Sequence, residues 1–162
     1  MSRSEPRAAE LEFEDWGMVL LHDRRMPGSR GSIDHLAIGP SGVTVIDAEN
    51  DRGRIEVERR GGLLRERTEH LMVDGRDRTA LVDGVLAQAD AVRTLLAVDA
   101  DIPIRAMLCF VDGDWPWSGP LELRGVPVLT PRRAAKLCSA GPLAPRTIGE
   151  LAGLLDARLA AA

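Results

Sequence analysis

The sequence predicts a single α/β domain whose central mixed β-sheet is flanked by helices, and three observations support this prediction. Short apolar runs with the two-residue period of strands alternate with stretches that have helical periodicity. Residues 104–111 are hydrophobic almost throughout, as in a strand that is covered on both faces. A chain of 162 residues is long enough to bury one substantial core.

The first half of the chain is predicted to consist mainly of strands. Residues 22–32 are rich in Gly, Ser and Arg and therefore predict a loop. Two strands then flank residues 39–42, where Pro40 and Gly42 suit the second and fourth positions of a type I turn. The other elements predicted in this half are a helix over residues 7–16, strands over 18–21, 53–60, 63–67 and 70–73, and a turn at 61–62.

The second half is predicted to contain three helices. Residues 77–98 carry apolar side chains at helical spacing, and the polar Gln88 falls within that stripe. An amide on an apolar face needs a hydrogen-bond partner, so Gln88 either bonds to neighbouring backbone or belongs to a functional site. Thr130-Pro131 is typical of a helix start, and Thr147 with Glu150 forms a capping-box pattern. The strands predicted here cover residues 104–111 and 126–129.

Charge and cysteine content exclude several classes of protein. The net charge of −4 argues against a strongly basic nucleic-acid binder. Residues 1–15 contain five acids and two arginines, so we expect an acidic N-terminal segment followed by one domain over residues 16–162. The absence of a signal-peptide core and of any membrane-spanning stretch favours a cytoplasmic protein with no membrane partner. Cys109 and Cys138 lack metal-ligand spacing.

Three carboxylates stand at the ends of the two strands that flank the Pro40-Ser41 turn. If the strands pair symmetrically about this turn, Asp34 lies opposite Asp47, with the side chains about 5 Å apart. A divalent cation with oxygen ligands would convert the repulsion between two such acids into attraction. Asp47 and Glu49 share a face in any register, because strand side chains repeat every two residues. The sequence therefore indicates a metal site formed by these acids.

Two alternatives to this metal site follow from the same residues. A bulge at Gly42 would shift the pairing by one residue and place Asp34 and Asp47 on opposite faces. The acids would otherwise be solvated strand ends beside a turn.

Several segments of the chain resemble one known family. The stretch LHDRRMPGSRGSIDHLAIGPSGVTVIDA (21–48) is similar to the core of the nuclease-related domain, or NERD domain. The later stretches LCFVDGDWP (108–116) and RGVPVL (124–129) resemble the second half of the same family. The resemblance runs in order from about residue 16 to residue 159, which is most of the chain.

The resemblance implies a fold and a chemistry. NERD domains are similar to the PD-(D/E)XK nucleases, in which helices pack on a central mixed sheet in a restriction-endonuclease-like core. Asp34 matches the first Asp of that pattern, Asp47 matches the acid of its acid-x-Lys triplet, and Gln88 matches the Gln of the following helix. The implied activity is phosphodiester hydrolysis that depends on Mg²⁺ or Mn²⁺, with DNA favoured over RNA as substrate, in a bacterial protein. The resemblance also favours the symmetric register, since Asp34 and Asp47 must both reach one ion.

This chain departs from the family pattern at two places. Glu49 occupies the position of the triplet lysine, which reverses the charge there. Glu49 can still act as a further metal ligand or as a general base. The Gly-x-x-Gly-Glu stretch expected near the N-terminus is absent, and Glu10, Glu12 and Glu14 are the acids available to replace its glutamate.

Two hypotheses of function remain open. In the first, the chain is a metal-dependent nuclease with Asp34, Asp47 and Glu49 as ligands and Gln88 ordering the site. In the second, it is a catalytically degenerate nuclease fold that binds nucleic acid or another protein. In either case, loop arginines provide candidate contacts to a nucleic-acid backbone or else are solvated charges. These arginines are Arg24, Arg25 and Arg30.

Overall fold

The structure, a computed structural model, describes residues 16–96, 101–116 and 119–162. The predicted acidic segment over residues 1–15 and nearly all of the predicted helix over residues 7–16 lie outside these ranges. In chain order the elements are β1 (Val19–Arg25), β2 (Ser32–Gly39), β3 (Gly42–Glu49), β4 (Gly53–Gly62), β5 (Arg65–Val73), β6 (Arg76–Asp77), α1 (Thr79–Leu95), β7 (Ile104–Phe110), β8 (Gly113–Asp114), β9 (Leu121–Leu123), β10 (Val126–Leu129), α2 (Pro131–Ser139) and α3 (Pro145–Arg158).

The strands form a six-stranded sheet in the order β1-β2-β3-β7-β10-β9 and a smaller sheet in the order β6-β5-β4-β8. In the larger sheet β1, β2 and β3 are antiparallel, β7 runs parallel to both β3 and β10, and β9 is antiparallel to β10. Parallel neighbours require a crossover, and α1 lies in the crossover from β3 to β7. The predicted α/β class with a restriction-endonuclease-like core and a central mixed sheet is confirmed.

The central sheet is covered on both faces. The larger core cluster joins one face to α1 and α3, with residues such as Leu108, Val85 and Leu155 fully buried. The smaller cluster joins the other face to α2 and includes Met107 and Cys138. Burial raises the pKa of the Cys138 thiol. Coverage on both faces explains why the central strand β7 is an almost continuous apolar run.

The first strand is longer than the sequence predicts. The predicted loop over residues 22–32 is wrong for residues 22–25, because Arg24 and Arg25 pair with Ile33 and Ser32 on β2. β1 lies at an edge of the sheet, where polar side chains are tolerated. Its composition therefore hides its secondary structure, and the loop is confined to residues 26–31.

The smaller sheet contains a two-stranded antiparallel ribbon, formed by β4 and β5, which the sequence predicts only in part. The two predicted strands over residues 63–67 and 70–73 are one continuous strand, β5, and Leu63 and Leu64 form the turn. Arg59 pairs with Glu69, and Arg60 with Thr68, so the predicted break is bridged by strand pairing. The short strands β6, β8 and β9 were not predicted.

The helix starts show how local capping chemistry works in this chain. The Thr130 cap is confirmed, since the Arg133 N–H donates to Thr130 Oγ1 at 3.4 Å. The Thr147 capping box is wrong, because α3 begins earlier, at Pro145, which occupies the first helical turn. The long helix is predicted at residues 77–98 and observed at Thr79–Leu95.

Within the described part of the chain, no helix is both long and apolar enough to cross a membrane.

Candidate active site

The turn between β2 and β3 sets the register of the acidic hairpin. Ile38 pairs with Val43, and Gly39 pairs with Gly42, so the symmetric register is confirmed and the bulged alternative is wrong. Gly42 has a φ of 114°, and a Cβ added there would lie 2.2 Å from the Pro103 carbonyl oxygen. Only glycine fits at this position without strain.

The same register places the two aspartates at its open end. The last regular pair is His35 with Ile46, and one further step along both strands leads to Asp34 and Asp47. The alternation of β2 is interrupted here, because Ile33 and Leu36 both belong to the larger core cluster although they are three positions apart, an odd number. Alternation alone therefore does not assign a face to the half-buried Asp34.

Asp47 and Glu49 follow the regular alternation of β3. Val43 and Val45 point into the cluster beneath α1, so the side chains two and four residues further along point to the same face. Asp47 is 9% exposed, and the Glu49 side chain is 12% exposed. A carboxylate at this depth is costly unless polar or charged groups compensate it. The prediction that these two acids share a face fits the observed strand.

A cation that the sequence analysis did not select lies beside these acids. Nη2 of Arg78 lies 3.6 Å from Glu49 Oε2 and 2.5 Å from Asp51 Oδ2. Arg78 immediately precedes α1, and its side chain is 34% exposed. Position 49, which the resemblance matches to the triplet lysine, is thus a carboxylate next to an arginine from another element. Sequence reasoning missed Arg78 because the contact joins segments that are distant in the chain.

The backbone around Arg78 is held by the residues on either side of it. The Arg78 N–H donates to the Leu71 carbonyl oxygen at 2.7 Å, and the Leu71 N–H donates to Thr79 Oγ1 at 3.0 Å. Asp77 Oδ1 accepts from the Thr79 N–H at 2.9 Å. Hydrogen bonds from Thr79, together with His70, lower the pKa of Asp77 to about 2. Arg78 therefore leaves a fixed segment at the start of α1.

A small cavity of about 180 Å³ adjoins Arg78. Its lining residues are Asp51, Arg52, Val73, Asp74, Arg76 and Arg78. Nη2 of Arg52 lies 3.4 Å from Asp112 Oδ2. Arg76 is exposed, and within the described ranges it forms no ion pair. Three arginines thus surround a space next to the acidic strand end.

Gln88 lies on the sheet-facing side of α1 but well along the helix. Its Oε1 is buried and has no hydrogen-bond partner among the residues that the structure describes. Ten residues at 1.5 Å each place Gln88 about 15 Å along the helix axis from Arg78. α1 runs antiparallel to β3, because Arg78 meets Glu49 while Arg93 reaches the Ile104 carbonyl oxygen at 3.1 Å. A role for Gln88 in ordering the acids stays a prediction.

The acids suit a divalent cation by chemistry. Within the described ranges, no three His, Cys, Asp or Glu side chains converge in a metal-binding group. Mg²⁺ is nevertheless often held by only one or two carboxylates, with water and substrate phosphates completing its shell. Asp34 and Asp47 are the carboxylates predicted for this role, and both lie at the open end of the β2–β3 hairpin. The residues present therefore fit an open magnesium or manganese site, whose ligand set stays a prediction. Glu10, Glu12 and Glu14 lie outside the described residues.

The three predicted backbone-binding arginines differ in their surroundings. Arg24 is fixed to α3: its Nη2 lies 2.6 Å from Asp156 Oδ1, and its Nη1 donates to the Leu159 carbonyl oxygen at 3.1 Å. Arg25 and Arg30 are exposed. Nucleic-acid contact by any of the three stays a prediction, with Arg24 the least available.

Comparison with known proteins identifies the family. The family model described as "Nuclease-related domain" (NERD) matches residues 4–111, about two thirds of the chain. This range includes the acidic hairpin, Arg78 and Gln88. No curated protein and no solved structure matches the chain. On the strength of the family match, the chain belongs to the nuclease-related domain family.

Proposed function

We propose that this domain hydrolyses phosphodiester bonds in nucleic acid, with DNA preferred over RNA, in a reaction that requires Mg²⁺ or Mn²⁺. One observation carries the proposal: the β2–β3 register leads Asp34 and Asp47 to the same end of a buried hairpin. Asp47 is almost fully buried there although it is an acid. The chain belongs to the nuclease-related domain family, and in a nuclease such a pair of acids would bind the divalent cation.

Each residue has a specific part in this proposal. Asp34 and Asp47 would hold the cation, and a bound cation polarises a phosphate and lowers the pKa of an attacking water. Glu49, next to the Arg78 guanidinium, presents a carboxylate that can accept a proton from that water. Gln88 would orient the site through its unpartnered Oε1. Arg25 and Arg30, and Arg24 to a smaller extent, would contact the nucleic-acid backbone.

We also propose that residues 16–162 act as one domain, preceded by an acidic segment over residues 1–15. Support comes from the core, because Ile55 and Leu71 of the smaller sheet belong to the same buried cluster as Leu108 of the larger one. Cys109 and Cys138 form no disulfide with each other, which suits a reducing cytoplasmic location.

The direct test is cleavage of supercoiled plasmid and of end-labelled RNA with Mg²⁺ or Mn²⁺. We expect the wild-type protein to cleave the plasmid and Asp47→Asn to reduce the rate by at least about 10²-fold. Asp83→Asn is the matched control, since Asp83 is an exposed acid on α1 that pairs with Arg124. Equal cleavage by wild type and Asp47→Asn would refute the proposal.

A second candidate function has its own support. Glu49 replaces the family lysine, which favours a catalytically degenerate fold that binds nucleic acid or another protein. Retention of a labelled duplex by folded wild-type protein that cleaves neither substrate, with either metal present, would favour this alternative.

A further inference from the structure

We propose that Arg78 is the phosphate-binding cation of this site, and that with Arg76 and Arg52 it forms a pocket for a backbone phosphate of the bound nucleic acid. This inference rests on the proposed function. It assigns the missing positive charge to an element other than the strand that carries the acids.

The position of Arg78 follows from two contacts. Glu49 shares the α1 face of β3 with Asp47, and the Arg78 guanidinium lies 3.6 Å from Glu49. Asp51, just beyond the end of β3, approaches the same nitrogen at 2.5 Å. Two carboxylates thus hold one cation beside the acidic strand end. Glu49 holds the arginine in place through this contact. The acid at the position matched to the lysine therefore has a structural role.

The guanidinium has capacity left for a ligand. A guanidinium carries five N–H donors in a planar fork, and a phosphate is bound through two of them. Glu49 and Asp51 approach at a single nitrogen, Nη2, and Nε is buried without a hydrogen-bond partner among the described residues. The side chain as a whole is still 34% exposed. Arg78 is therefore held by its partners at one nitrogen and is not enclosed by them.

The adjoining cavity supplies the space and further charge. A cavity of about 180 Å³ has room for a tetrahedral phosphate group, given that a water molecule takes about 30 Å³ in the liquid. Arg52, Arg76 and Arg78 line it together with Asp51 and Asp74. Asp51 is engaged by Arg78, and Arg52 contacts Asp112 outside the lining. Arg76 is the exposed cation of the three that forms no ion pair in the described ranges, so it can meet an incoming anion without losing a partner.

The first arm of the test measures binding without catalysis. Fluorescence anisotropy of a labelled DNA duplex is followed over a range of salt concentrations in EDTA, for wild type, Arg78→Gln and Arg76→Gln. We expect each variant to bind about 10-fold more weakly, with the slope of log K against log salt reduced by about one. Arg146→Gln is the matched control, because Arg146 pairs with Glu150 on the exposed surface of α3. Unchanged affinity and slope in both pocket variants would overturn the inference.

In this arm, a loss of DNA binding can be distinguished from a loss of folding. Arg76 is exposed and forms no ion pair in the described part of the chain, so Arg76→Gln should melt at the wild-type temperature. A reduced slope in Arg76→Gln therefore supports the pocket even where Arg78→Gln is less stable. Arg78→Lys keeps the charge without the fork and is expected to recover most of the slope and part of the affinity.

The second arm uses cleavage with Mg²⁺ or Mn²⁺. Arg78→Gln should lower kcat by about 10²-fold, and Arg78→Lys should recover part of that loss because it returns a positive charge to the same position. Wild-type cleavage by Arg78→Gln, in an assay where Asp47→Asn is inactive, would overturn the inference and leave the proposed function standing. A wild-type protein that neither binds nor cleaves would refute both.

Discussion

Two of the antiparallel hairpins in the described residues, β2–β3 and β4–β5, are stabilised in different ways. In the hairpin of β2 and β3, residues 36–39 and 42–47 are buried. In the hairpin of β4 and β5, the outer half is exposed, and Leu63 and Leu64 at its tip are 105% and 99% exposed. Its cross-strand contacts include the Arg59–Glu69 ion pair at 3.0 Å.

The difference between them explains how the site is assembled. A buried hairpin has a strongly specified register, because a slip of one residue would move every side chain to the opposite face of the sheet, where a different set of neighbours is packed. It can therefore hold Asp34 and Asp47 at fixed positions. The exposed ribbon depends on weaker contacts, yet its inner end is buried at Leu71 and leads through β6 to Arg78. The acids thus lie on the β2–β3 hairpin, and Arg78, the nearby cation, comes directly after the β4–β5 ribbon and β6 in the chain.

The largest contrast is expected from removing a leucine in each hairpin. Leu36→Ala should lower the free energy of unfolding by about 2–5 kcal/mol, because Leu36 is fully buried and its removal leaves a cavity. Leu64→Ala should change it by less than about 0.5 kcal/mol, since Leu64 already faces solvent. Urea denaturation of both variants measures the difference. Similar losses would contradict the contrast drawn between the hairpins.

A matched pair of glycines tests the same contrast at the backbone. Gly42 and Gly61 have φ angles of 114° and 101°, and a Cβ at either would lie 2.2 Å from a carbonyl oxygen. Gly42→Ala should cost about 2–3 kcal/mol, because the surrounding core resists movement. Gly61→Ala should cost about 1 kcal/mol, because the exposed ribbon can shift locally. Chemical denaturation decides, and a greater loss for Gly61→Ala would reverse the interpretation.

A smaller effect that depends on pH is expected where the ribbon meets α1. The pKa of Asp77 is lowered from 3.8 to about 2, chiefly by hydrogen bonds from Thr79. Its ionised form therefore stabilises the fold above pH 3.8, and this contribution is lost as the pH falls to about 2. Asp77→Asn should melt at a lower temperature than wild type at neutral pH, with the gap closing over that interval.

Thermal melts at several pH values between 2 and 7 measure this gap. Asp74→Asn is the control, because Asp74 is a nearby exposed acid in the turn that precedes β6. A gap between wild type and Asp77→Asn that stays constant down to pH 2 would show that the charge of Asp77 does not stabilise the start of α1.

The smallest effect is expected from the ion pairs of the exposed ribbon. Arg59→Gln should change stability by less than about 1 kcal/mol, because the Arg59 side chain is 79% exposed and solvent weakens its attraction to Glu69. A double-mutant cycle with Glu69→Gln gives the coupling between the two side chains. A coupling well above 1 kcal/mol would mean that the ribbon is more rigid than its exposure indicates.

How far the sequence could be interpreted differed between the hairpins. The register of β2 and β3 was predictable, because Pro40 in the turn and the apolar strands around it agree on one pairing. The continuity of β5 was not, because its polar residues carry no pattern of burial. The start of α3 was also missed, since Pro145 sets it while Thr147 offered a competing capping signal.

The sequence by itself determined the α/β class, the acidic hairpin, the shared face of Asp47 and Glu49, and the resemblance to nuclease-related domains. These features depend on local periodicity, turn chemistry and matching segments, all of which are written along the chain. Only the tertiary structure decided that Arg78 lies beside Glu49 and that three arginines line the adjoining cavity. The reason is physical: a charge contact between distant segments depends on how the exposed ribbon returns to the core, and no local pattern encodes that path.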